Sequence, residues 1–117
     1  MMVYCENCDC EIDEVIMEAD YAADPFWCMH CKSNLDLEMF PLPEHVKVML
    51  MEWALEYGSF IDLGKEAYSE NGREREKAFN EKGLALKKMV DYEIEPGYQI
   101  VYKPSEFYKT VEETNDK

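Results

Sequence analysis

Apolar and polar positions change rhythm several times along the chain. Val15-Ile16-Met17 is a short apolar run between Glu14 and Glu18, which reads as a strand. Ala22-Ala23-Asp24-Pro25 reads as a turn, because proline fixes its own φ and disfavours helix before it. Phe40-Pro41-Leu42-Pro43 breaks the chain, and Pro43 suits the first turn of a helix, with Glu44 near the positive end of its dipole. The period then becomes helical. Val46, Met49, Leu50, Trp53, Ala54 and Tyr57 share one face, and Val48, Met51 and Leu55 share another. A helix apolar over so much of its circumference is central to the core or partly covered by a partner. Gly58 is expected to end or bend it, with Phe60, Ile61 and Leu63 carrying the pattern one turn further before Gly64.

Ser69-Glu70-Asn71-Gly72 is the next break, and Asn71 followed by Glu74 matches a capping box. A helix from about Arg73 to Val90 is expected, with Phe79, Gly83, Leu86 and Val90 on one face. Gly83 inside it costs about 1 kcal/mol relative to alanine, so it reads as a place where another backbone comes close. After Pro96-Gly97, the segment from Tyr98 to Tyr102 alternates as a strand; Tyr92 to Glu95 is its hairpin partner or the helix end. Ser105 is expected to cap a short helix through Val111, followed by a loose tail from Glu112 to Lys117.

The most specific chemistry lies before the first helix. Cys5-Glu6-Asn7-Cys8 and Cys28-Met29-His30-Cys31 are two CxxC pairs with nineteen residues between them. Two residues between cysteines let a tight turn aim both sulfurs at one point. Two such turns offer four thiolates to a closed tetrahedral zinc site with Zn–S bonds of about 2.3 Å. A closed site keeps no position for substrate, so the expected Zn²⁺ is structural and its ligands are Cys5, Cys8, Cys28 and Cys31. Asp9 follows the first pair where such turns often need a left-handed backbone, which Asp tolerates better than most residues. Cys10 and His30 are spare donors, either of which could replace one thiolate. Turn, strand, turn and second cysteine pair together resemble the zinc-ribbon group of folds over residues 3–34. That resemblance implies metal and says little about function.

The expected fold is therefore α+β: a zinc-ribbon-like module packed on two helices, with a C-terminal strand or hairpin. The expected divisions are residues 1–40 for the module, 41–104 for the helical region and strand, and 105–117 for a short helix and tail. A rival reading starts from Phe26-Trp27-Cys28-Met29-His30-Cys31-Lys32, which resembles the W-C-x-x-C-K segment of thioredoxin-like redox proteins. Against it, only 27 residues precede Cys28, Pro41 and Pro43 interrupt the helix that should follow, and the upstream pair goes unexplained.

Charge narrows the class further. Twenty-six acidic residues face twelve basic ones, a net charge of −14. Residues 1–40 hold ten acidic residues against Lys32 alone. The basic residues concentrate between Arg73 and Lys88. Such a surface repels nucleic acid and anionic membranes and suits a basic partner. The N-terminus has no apolar leader pattern, and no apolar run approaches a membrane span. An odd cysteine count argues against a disulfide framework, so a reducing cytoplasm is expected. No nucleophile, phosphate-loop or metalloprotease pattern is present. The expectation is a non-enzymatic interaction or regulatory protein that binds a protein partner or itself, with neither nucleic acid nor membrane as a ligand. The alternatives are an acidic inhibitor that mimics nucleic acid and a dithiol redox protein.

Overall fold

The computed structural model describes residues 3–62, 64–65, 67–94 and 96–107. Among the described residues the architecture is mixed α+β, with two α-helices, three small sheets and a strand late in the chain. β1 (Val3–Cys5) and β2 (Cys10–Ile12) form an antiparallel hairpin. β3 (Glu14–Met17), β4 (Phe26–Cys28) and β5 (Asn34–Leu35) follow, then a single 3₁₀ turn at Leu37–Met39. α1 is Glu44–Leu55, and β6 (Ile61–Asp62) pairs with β7 (Ala67–Tyr68). α2 is Gly72–Glu93, and β8 (Gln99–Tyr102) returns to the main sheet.

That sheet has the order β5-β4-β3-β8. β3 is interior to it, which explains why its apolar run is continuous: Val15, Ile16 and Met17 are all buried. β4 meets β3 antiparallel, and β8 meets it parallel with Val15 opposite Ile100 and Met17 opposite Tyr102. Parallel pairing needs a long crossover. Here both helices lie between the two strands in sequence. The core is aromatic where the helices meet. Trp53 stacks on Phe79 with ring centres 4.9 Å apart, and its indole N–H donates to the Phe79 carbonyl at 3.0 Å.

Several local expectations change. The helical pattern does not continue past Gly58, whose φ of +89° turns the chain; Ile61 and Asp62 enter β6 instead, and Leu63 lies outside the described residues. Asn71 makes no side-chain cap, because it sits left-handed at φ +59° rather than in the extended conformation a capping side chain needs. Its carbonyl instead accepts from Arg75 N–H at 3.0 Å. The stripe of Phe79, Gly83, Leu86 and Val90 is buried as expected. What approaches Gly83 is not backbone, however, but the rings of Trp53 and Tyr102. Tyr92 and Glu93 end α2, so the late strand has no hairpin partner there. Ser105 is buried and its N–H donates to Asn80 Oδ1 at 2.8 Å; nearly all of the expected helix through Val111, and the tail after it, lie outside the described residues.

Candidate functional site

The first cysteine turn is the tip of the β1–β2 hairpin. Cys5 closes β1 and faces Cys10 across the pair, and Asp9 takes the left-handed conformation with φ +59°. The second turn leaves β4 at Cys28, and Lys32 is left-handed in the equivalent place, φ +65°. Two backbone bonds fix this turn: Lys32 N–H to the Cys28 carbonyl and Cys28 N–H to the Ser33 carbonyl, each 2.9 Å. The two turns thus repeat one local geometry and face each other.

They bring Cys5, Cys8, Cys28 and Cys31 together, with all four sulfurs within 4.8 Å of one another. Cys5 Sγ lies 3.7 Å from Cys31 Sγ, and Cys8 Sγ lies 3.7 Å from Cys28 Sγ. A tetrahedron with Zn–S bonds of about 2.3 Å has edges of about 3.8 Å, so the spacing fits one ion at the centre. Cys10 Sγ instead lies 3.2 Å from the Cys8 carbonyl oxygen, and His30 is exposed.

Two polar residues that the sequence reading passed over complete the site. Ser33 Oγ lies 3.0 Å from Cys31 Sγ and 3.5 Å from Cys5 Sγ. Asn7 Nδ2 donates to Cys31 Sγ at 3.3 Å. Hydrogen bonds from Ser33 and then Asn7 favour the Cys31 thiolate and bring its pKa down to about 5. The Ser33 hydroxyl also lowers that of Cys5. Burial among neighbouring sulfurs pushes the Cys8 thiol up. Four adjacent thiolates repel one another, and a central dication reverses that penalty. The position of Ser33, two residues after the second pair, was the signal available for it.

A second polar cluster lies in α2. Glu76 sits on the buried stripe of that helix and accepts from Tyr68 Oη (2.5 Å), Ser105 Oγ (2.5 Å) and Phe107 N–H (3.0 Å). Two lysines of α2 form ion pairs: Lys82 with Glu56, the residue that caps α1, at 2.9 Å and Lys87 with Asp91 at 2.5 Å. Among the described residues no helix is long and apolar enough to cross a membrane.

The chain matches the family model described as Serratia CdiI immunity protein-like over residues 13–105. No curated protein matches it. The matched segment contains β3, both helices, β8 and the second cysteine pair, while Cys5 and Cys8 precede it. The zinc-ribbon resemblance rests on the two cysteine turns alone, and the family shown is this one. The chain belongs to it.

Proposed function

We propose, from that membership, that this protein is an immunity protein: it binds a protein toxin and blocks it by occupying its surface, with no chemistry of its own. The observation that carries the reading is the family match over residues 13–105. The net charge of −14 supports it, since an acidic surface is suited to capturing a basic protein. The expectations of an interaction module and of an acidic inhibitor meet in this reading. Neutralisation needs only tight, specific contact, so the absence of a catalytic motif from the sequence is no obstacle. The test is a growth assay in cells producing toxins paired with members of this family, with and without this chain. Restored growth against one of them, with a complex of defined stoichiometry by native mass spectrometry, is expected. Growth arrest by every toxin of such a panel would overturn the reading.

The metal centre has a supporting role in this proposal. Cys5, Cys8, Cys28 and Cys31 hold a structural zinc ion that clamps the β1–β2 hairpin onto the family segment. The sulfur spacing supports zinc, and the bonds from Ser33 and Asn7 favour the thiolate form of Cys31, with Ser33 also reaching Cys5. Elemental analysis of protein purified without added metal should give one zinc per chain. Fully folded, metal-free protein carrying a Cys28–Cys31 disulfide would favour the dithiol reading instead.

A further inference from the structure

α1 buries Val46, Leu50, Trp53 and Ala54. On the opposite side Val48 is 46% exposed and Leu55 75% exposed. They are seven residues apart, close to two turns, and form one ridge. Beside that ridge, between α1 and the turn after β3, lies a cavity of about 350 Å³. Tyr21, itself 46% exposed, lines it together with Leu55 and the half-buried Met51. Contiguous apolar surface around a pocket is the usual form of a contact site, and an aromatic anchor at its edge is typical of one.

The charge on the Tyr21 side of the ridge is acidic, while on its other flank Leu55 borders Arg75 and Lys82, the latter paired with Glu56 at 2.9 Å. Asp20 and Asp24 line the cavity, and Glu52 follows Val48 by one helical turn on the exposed side. Among the described residues neither Asp20 nor Glu52 takes part in an ion pair. Lys47, the one lysine of α1, reaches Glu38 at 3.6 Å. A second copy of the chain would bring the same acidic border and another −14 to this face, so self-association is disfavoured.

We infer that the Val48–Leu55 ridge and the Tyr21 cavity are the toxin-docking face. The surface it fits is basic: one large apolar side chain enters the cavity between Lys or Arg side chains that meet Asp20 and Glu52. This rests on the immunity reading for the identity of the partner, but the geometry can be tested without a toxin. The probe is the synthetic peptide Lys-Arg-Trp-Leu-Arg-Lys, titrated at low salt into ¹⁵N-labelled full-length protein and followed by amide chemical shifts. Shifts should cluster at Tyr21, Val48, Met51 and Leu55 and fade as salt is raised. Glu-Asp-Trp-Leu-Asp-Glu should cause none. Leu55→Ser with Val48→Ser, both at exposed positions, should keep a dispersed spectrum and weaken the peptide about tenfold, the equivalent of 1.4 kcal/mol. Shifts centred elsewhere, or equal shifts with the acidic peptide, would overturn the assignment. Concentration-dependent broadening without peptide, relieved by Leu55→Ser, would do so in favour of a second copy. Growth protection together with a failed titration removes this face and leaves the immunity reading intact. A successful titration without protection keeps the face and removes the toxin as its partner.

Discussion

Two carboxyls in this protein, Glu76 buried and Glu18 half-buried, meet opposite fates. Glu76 is 2% exposed and fully satisfied by two hydroxyls and one N–H. Removing it strands those donors, so Glu76→Ala should cost about 3 kcal/mol in denaturant unfolding, the range for hydrogen bonds to a charged group together with the orphaned partners. Glu18 has no such set. Burial raises its pKa, Lys103 opposes the rise, and Asp20 and Glu106 add to it. A raised folded-state pKa means that folding favours the protonated form. The associated stability is present below the unfolded pKa of about 4.3 and is lost as pH rises through the folded value. Glu18→Gln should therefore raise Tm at pH 7, and the gain should close near pH 4; a gain of the same size at both pH values would refute this account. Gly83 is a third case. A β-carbon there would lie 2.7 Å from the Trp53 ring and closer still to the Tyr102 hydroxyl. Gly83→Ala gains about 1 kcal/mol of helix propensity, yet overpacking of about 1–3 kcal/mol should prevail, lowering the denaturation midpoint. That Gly83 marked a close approach was legible in the sequence. That two rings, and not a backbone, make the approach was not, because Trp53 and Tyr102 arrive from elements 30 residues before it and 19 after it.

At the scale of elements, legibility followed the range of the forces involved. The strand around Val15, the helix start at Pro43 and the buried stripe of α2 were all readable, because each depends on neighbours within a turn or two. So was the left-handed Asp9, since turn geometry is local. The β3–β8 pairing was not readable. It joins residues about 85 positions apart, and nothing in the alternation of Tyr98 to Tyr102 distinguishes a parallel partner from a hairpin partner. The β6 and β7 strands are two residues each, too short to leave a period. The cysteine site was legible as a set of four but not in its supports, Ser33 and Asn7, whose roles depend on how the two turns face each other. The hairpin β1–β2 also places Val3 and Ile12 in the core, and Val3 N–H donates to Tyr98 Oη at 3.1 Å. Loss of metal should therefore loosen the hairpin without melting the interior sheet. Hydrogen exchange after chelation should accelerate over residues 3–12 and 28–35, while β3 and α2 stay protected. Cys8→Ser should lose the zinc and Cys10→Ser should keep it, as measured by metal content. Loss from the Cys10 variant would mean that the first turn uses a different ligand.

For the whole molecule, charge is the dominant long-range property. A net −14 on 117 residues extends a negative field into solvent, limited by a Debye length of about 8 Å at physiological salt. Nucleic acid should be excluded: binding to phosphates requires clustered Lys and Arg, and the lysines of α2 at 82 and 87 are already paired with Glu56 and Asp91. Under the proposed immunity function, a basic toxin would be drawn in by the same field. Because this attraction acts before contact, it should appear in the association rate more than in the dissociation rate. Stopped-flow association with the toxin identified by growth protection should slow by about tenfold or more between low and high salt, with dissociation changing much less. The field is a sum over many groups, whereas the docking face contributes only a few of them. Neutralising Asp20 and Glu52 together should therefore slow association and also speed dissociation. Neutralising Glu81 and Glu74, exposed on α2 and lining a different cavity, should produce only a small loss of rate. An association rate indifferent to salt would show that capture depends on shape alone, and the acidic surface would then serve solubility.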